Sequence, residues 1–204
     1  MRYDLLVCGV GGQGIITLSE IVATAALSKD IKTIVTQEKG LAQRGGSVQA
    51  HIRLGEVYSP TMPKRSACGL LSLEVSETFG YLDFLNSGTV CAVSDTLIPS
   101  GDTSSKGSKE KSRTVEEIAE DLKGKISSRL LIVEARKRAI ELGNPRATNI
   151  FMTGVLCGMD PRLTEVLSPE DIENAIRAVV RHNIENNVKV FHEGIEHGKK
   201  AKGS

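Results

Sequence analysis

Leu5-Leu6-Val7-Cys8-Gly9-Val10-Gly11-Gly12-Gln13-Gly14-Ile15 is the stretch whose reading decides the fold. An apolar run feeds a glycine-rich loop, and Ile15, Leu18, Val22 and Ala25 then recur at helical spacing, so the segment reads as strand, tight turn, helix. Glycines in such a turn let backbone approach an anion at the helix N-terminus, where unpaired N–H groups and the helix dipole favour negative charge. The functional reading is a phosphate or pyrophosphate held by Gly11, Gly12, Gln13 and Gly14. The alternative is that these glycines serve only close helix–strand packing or contact with a partner chain.

Thr33-Ile34-Val35-Thr36 is the next β-rich run. It is predicted to lie parallel to the first strand and to carry Glu38 to the same carboxyl edge, where open α/β sheets hold their ligands. Glu38 opens a second glycine-rich block that ends in Gln43-Arg44-Gly45-Gly46-Ser47. That block offers a guanidinium fork, an amide and backbone N–H groups close together, an anion-cradling composition. Its other reading is a structural turn in which Gly45 and Gly46 take positive φ. Glu38 stands 24 residues after Gly14, near where the ribose-binding carboxylate of a nicotinamide enzyme belongs. A free-standing NAD(P)-binding oxidoreductase is therefore an open alternative, as is a ligand-binding module without catalysis. Against the dehydrogenase stand the missing second mononucleotide-type loop and the missing hydride-transfer dyad of His with Asp or Arg.

Six strand candidates punctuate the chain: 4–8, 33–37, 48–54, 68–73, 89–93 and 130–133. Val75, Phe79, Leu82 and Leu85 predict a crossover helix over 75–86, and 115–122 reads as a short acidic helix. The alternation predicts an α/β, Rossmann-like, doubly wound and mostly parallel sheet with a helical C-terminal region, built as one domain over residues 1–204. Residues 100–113 lack apolar side chains and read as a mobile surface loop. Ser168-Pro169-Glu170-Asp171 carries an N-cap, a first-turn proline and first-turn carboxylates, so a helical tail starts at Pro169. The end, 198–204, reads as frayed. Val48, Ala50, Ile52 and Leu54 alternate with Gln49, His51 and Arg53, which predicts a half-buried strand with His51 and Arg53 on a solvated face, a ligand or another subunit being the alternative they could face. Asn144-Pro145-Arg146-Ala147-Thr148-Asn149 reads as a break followed by a helix cap at Thr148 or Asn149, with Asn149 also able to point at the glycine loops. His182, His192 and His197 read as solvated helix positions.

With 26 basic and 25 acidic residues the formal net charge is +1, so bulk electrostatics recommends neither nucleic acid nor an anionic membrane as partner. Tryptophan is absent and aromatics make up 3%, which removes the stacking platform of a single-strand binder. Cys8, Cys68, Cys91 and Cys157 are scattered through apolar runs without a C-x-x-C pair. They read as buried hydrophobes in a reducing compartment, with no metal site and no iron–sulfur cluster bound by this chain alone. The apolar stretch Leu5–Val10 is too short for a secretory signal, and a cytoplasmic protein is expected. No residue reads as catalytic.

Taken together, the first loop, Glu38 with Gln43-Arg44-Gly45-Gly46-Ser47, His51-Ile52-Arg53, Ser59-Pro60, Leu70-Leu71-Ser72-Leu73-Glu74, Gly143-Asn144 and Asn149 resemble the gamma-type, or small, subunit of 2-oxoacid:ferredoxin oxidoreductases, in its indolepyruvate branch. The resemblance implies an enzyme subunit, inactive alone. Its large alpha-subunit partner carries thiamine diphosphate and iron–sulfur clusters, coenzyme A is the co-substrate, and ferredoxin accepts the electrons of an oxidative decarboxylation to an acyl-CoA. It departs at Lys39, where many relatives have His, and at Cys68, where relatives often have Asp, so no role is carried over at either position.

Overall fold

The computed structural model describes residues 2–40, 46–98 and 113–201. Gln43, Arg44 and Gly45 lie outside these residues, as does nearly all of the 100–113 loop. Six strands, β1 (Arg2–Val10), β2 (Thr33–Lys39), β3 (Ser47–Gly55), β4 (Gly69–Ser72), β5 (Val90–Ser94) and β6 (Arg129–Val133), form one sheet in the order β2-β3-β1-β4-β5-β6. β1, β4, β5 and β6 pair in parallel. β3 runs antiparallel to both β1 and β2. The sheet is thus mostly parallel, with every strand near its expected place.

The neighbour relations differ from expectation in one respect. β2 does point the same way as β1, and Glu38 does reach the carboxyl edge, but β3 is inserted between them. Gly40 donates its N–H to the Ser47 carbonyl at 2.8 Å, closing β2 and β3 into a hairpin, which the short connection of 41–46 permits and a parallel pairing would not.

Two apolar layers flank the sheet. On one side pack α1 (Ile15–Leu27), α3 (Ala135–Glu141), α4 (Thr148–Met159), α5 (Pro161–Val166), α6 (Pro169–Val179) and α7 (Ile184–Lys200). α1 buries Ile15, Leu18, Val22 and Ala25, the stripe read from the sequence. α6 begins with the Ser168–Asp171 capping box and Pro169 in its first turn. α7 continues to Lys200, so Gly198, expected in a frayed end, is a buried helical residue. The other layer holds α2 (Val115–Lys125), whose Ile118 and Leu122 are buried, and the segment expected as a crossover helix. That segment is a 3-10 helix, Glu77–Phe84, which buries only Thr78 fully. Its apolar side chains Phe79, Tyr81, Leu82 and Phe84 are all partly buried, around the axis instead of along one stripe, and the Glu74 carboxylate accepts the Glu77 N–H at 2.7 Å, fixing a tight start.

His51 and Arg53 are buried, not solvated. The chain after β3 folds back across that face. Arg53 Nε meets Asp4 Oδ1 at 2.8 Å, and its Nη1 donates to the Ser59 and Thr61 carbonyls. His51 Nδ1 accepts the Met62 N–H at 3.3 Å, and the ring stands edge-on to Phe84. Burial lowers the His51 pKa, which keeps the imidazole neutral. Asp4 on β1 and the Ser59-to-Met62 strap supply the polar partners that water was expected to provide.

Candidate functional site

The carboxyl ends of β1 and β4 meet where the connections diverge: from β1 the chain leaves toward β2, from β4 toward β5. Such a switch point is where open α/β sheets form a ligand crevice. A cleft of about 700 Å³ opens there, lined by Gly12, Gln13, Gly14, Leu73 and Thr96 among others, and by Thr148 and Asn149 at the start of α4.

The first loop is built by two side-chain amides. Gln13 turns inward, accepting the Val10 N–H on Oε1 at 2.7 Å and donating from Nε2 to the Leu73 carbonyl at 2.9 Å. Asn149, 5% exposed, donates from Nδ2 to the Gly14 carbonyl at 3.1 Å and accepts the Ile150 N–H on Oδ1. Both amides need glycine neighbours. A Cβ on Gly9 would collide with Gln13 Oε1, and one on Gly14 would collide with the Asn149 amide. Gly12 is different: at φ +96° its missing side chain faces open space, and Gly11 has only the Gly46 carbonyl and Val48 near van der Waals range. Of the four glycines, Gly11 and Gly12 are therefore the ones a ligand can approach. α1 starts at Gly14 in the left-handed region with no side-chain cap, which leaves first-turn N–H groups for an anion.

The cleft carries three arginines that were not read from the sequence as site residues. Arg136, Arg146 and Arg181 line it, with the His182 ring beside them, and Glu20 is the one carboxylate among its described lining residues. Among the described residues, none of the three arginines makes an ion pair. Arg146 stands in the segment read as punctuation and capping. Arg181 and His182 belong to the link between α6 and α7, read as continuous helix. Asn187 shapes that link, donating to the His182 and Asn183 carbonyls and accepting from Asn144. The only sequence signal was an arginine beside each loop-forming residue, Arg146 next to Pro145 and Arg181 near Asn183. Thr148 does not cap α4: Ala147 holds the cap position without a side-chain bond, and the Thr148 hydroxyl donates to the Pro145 carbonyl.

The remaining expected site residues divide. Gly12, Gln13, Gly14 and Asn149 are together at the cleft. Gly11 donates its N–H to the Gly46 carbonyl at 3.0 Å, so the two glycine loops do meet. Ser47 pairs its hydroxyl with Tyr81 on the opposite layer. Glu38 is exposed on β2, accepts from the Gln49 amide, and does not line the cleft. Cys8, Cys91 and Cys157 are buried free thiols whose pKa values burial pushes to about 12, about 11 and about 12. They are packing groups, not nucleophiles.

Residues 4–197 match the family model for pyruvate ferredoxin/flavodoxin oxidoreductase. The indolepyruvate oxidoreductase subunit IorB of Archaeoglobus fulgidus is 34% identical over 185 residues, 90% of this chain and 89% of that protein. The gamma subunit of a keto/oxoacid ferredoxin oxidoreductase from Geobacter sulfurreducens has the same fold, with TM-score 0.67 at 23% identity over 98% of both chains. So does part of a 2-oxoglutarate:ferredoxin oxidoreductase from Magnetococcus marinus, solved with 2-oxoglutarate, coenzyme A and succinyl-CoA, with TM-score 0.69 at 15% identity over 98% of this chain and 31% of that one. The glycine loop, the cleft beside it and these likenesses lead to one conclusion: the chain belongs to the pyruvate ferredoxin/flavodoxin oxidoreductase family, as a small subunit of a 2-oxoacid oxidoreductase complex.

Proposed function

We propose that the chain works with a large subunit carrying thiamine diphosphate and iron–sulfur clusters, that the complex oxidises indolepyruvate or a related arylpyruvate, and that the cleft receives the phosphates of coenzyme A. In the overall reaction the 2-oxo acid and coenzyme A become acyl-CoA and carbon dioxide, while two electrons pass one at a time to ferredoxin. Thiamine diphosphate supplies the carbon nucleophile for decarboxylation when bound to the large subunit. The clusters are assigned to the large subunit too: Cys8, Cys68, Cys91 and Cys157 are scattered along the sequence without a C-x-x-C pair. The observation that carries the coenzyme A reading is the opening of Gly12 and the uncapped α1 N-terminus onto a cleft edged by Arg136, Arg146 and Arg181. Backbone N–H groups and guanidinium forks are what a multiply charged phosphate ester needs. Gln43, Arg44 and Gly45, which precede Gly46 in the sequence, are proposed as further ligand-binding residues on their anion-cradling composition alone.

The test is made in the assembled complex. Arg44→Ala is expected to lower kcat/KM for coenzyme A about ten- to a hundredfold, the loss of one charge-assisted contact. The Arg146→Ala/Arg181→Ala double variant is expected to weaken coenzyme A binding in calorimetric titration by at least as much. If the Arg44→Ala complex assembles normally and turns over at the parental rate at limiting coenzyme A, the second loop is scaffolding. If the double variant binds coenzyme A as the parent does, the cleft is not its site.

A further inference from the structure

We infer that Gln13 is a positioning residue for coenzyme A binding, acting through the backbone of its own loop and not by touching the ligand; this rests on the reading of the cleft as the coenzyme A site. The amide is the one side-chain tie between the β1 loop and the end of β4 among the described residues: Oε1 holds the Val10 N–H and Nε2 holds the Leu73 carbonyl. One acceptor lone pair and one N–H of the amide are thereby committed inside the protein. What it fixes is the turn at the switch point. Val10 precedes Gly11 and Gly12, the open part of the loop. Leu73 belongs to the cleft wall. Gln13 therefore sets how far Gly12 and the first-turn N–H groups of α1 stand from that wall.

Gly9 supports this assignment independently. It does not face the cleft, and its missing side chain is the space that Gln13 Oε1 occupies. Leu73 Cβ, 3.1 Å from the same point, crowds it as well, but Gln13 Oε1 at 2.4 Å is the tightest neighbour. Asn149 holds the other end of the loop through the Gly14 carbonyl. The Gly12 turn, at φ +96° with nothing within 4 Å of its absent Cβ, is thus suspended between two amide clamps. Preorganised N–H donors lose less on binding an anion than donors that must first be ordered.

Gln13→Met keeps the length of the side chain and removes both hydrogen bonds. Gln13→Glu keeps the acceptor for the Val10 N–H and loses the donor to Leu73. Each is assembled with the large subunit, and three quantities are measured: the Kd for coenzyme A by calorimetry, KM for coenzyme A against KM for the 2-oxo acid, and thermal stability of the complex. For Gln13→Met we expect an intact complex, Kd and KM for coenzyme A raised at least tenfold, and KM for the 2-oxo acid within about twofold of the parent. Should Gln13→Met not assemble, Gln13→Glu is expected to show the same selective weakening. An unchanged coenzyme A Kd in an assembled variant overturns the assignment, and so does loss of assembly in both variants, which would make Gln13 a folding residue only. The Arg146→Ala/Arg181→Ala complex, run alongside, separates the two levels. Weak binding there with parental binding in Gln13→Met sinks the positioning role alone, whereas parental binding in all variants sinks the reading of the cleft and the inference with it.

Discussion

Arg53 illustrates how a residue's role is set by what the chain later lays over it. Alternation along β3 is real: Val48, Ala50, Ile52 and Leu54 are buried. The opposite face was expected to meet solvent, yet Arg53 keeps only 3% of its surface exposed. Its guanidinium holds Asp4 across the β1–β3 pair and two carbonyls of the strap at Ser59 and Thr61. Truncating one member of a buried pair leaves the other charge without its partner, a loss of about 3 kcal/mol or more. Arg2 also pairs with Asp4 and moderates that loss. Arg53→Ala is therefore expected to lower unfolding free energy by about 3 kcal/mol in denaturant titration, with coenzyme A affinity of the surviving complex unchanged. A variant as stable as the parent would show the ion pair to be dispensable. An arginine's partners lie on other strands and straps, so this role could not be read from the period-two pattern.

At the scale of elements, most signals that depend on neighbours in sequence were read correctly, the cap expected at Thr148 being an exception. The strand runs, the α1 stripe and the Ser168 capping box are among those read correctly. Neighbours in space were read less well. The insertion of β3 between β1 and β2, and the 3-10 geometry of Glu77–Phe84, depend on pairing and burial that no local window contains. A further element-level feature passed unread although its letters are plain: Gly154-x-x-x-Gly158 on α4 and Gly194-x-x-x-Gly198 on α7. A Cβ on any of these four glycines would run into a carbonyl of the facing helix, so the two helices touch backbone to backbone. Gly154→Ala is expected to destabilise the protein by about 2 kcal/mol or more through overpacking, despite the better helix propensity of alanine. Gly124→Ala, in α2 where an added Cβ meets nothing within 4 Å, is the internal comparison and is expected to stabilise by about 0.5–1 kcal/mol. Equal effects at the two positions in denaturant titration would contradict the backbone contact.

For the whole molecule, strand order decides which nucleotide-like ligand the first glycine loop can serve. In a dinucleotide site the second strand lies beside the first, and its terminal carboxylate reads the ribose of the ligand bound at the loop. Here β3 stands between, so β2 is two inter-strand spacings, about 10 Å, from β1. Glu38 is paired to Gln49 on that outer hairpin, while the cleft opens on the β4 side of the loop with Arg136, Arg146 and Arg181 as its charged lining apart from Glu20. The loop motif and the 24-residue spacing to Glu38 were both legible in the sequence; the side of the loop on which the cleft lies was not, because it follows from sheet topology. An excess of positive groups suits a ligand with several phosphate charges, and Glu38, the carboxylate that the sequence spacing offers to a ribose hydroxyl, does not line the cleft. Calorimetric titration of the chain with NAD and NADP is accordingly expected to give no binding up to about 1 mM, the weak limit near −4 kcal/mol. Micromolar binding of either nucleotide, abolished in Glu38→Ala, would show that the hairpin can bring its carboxylate to the loop, and would return the dehydrogenase alternative in place of the coenzyme A cleft.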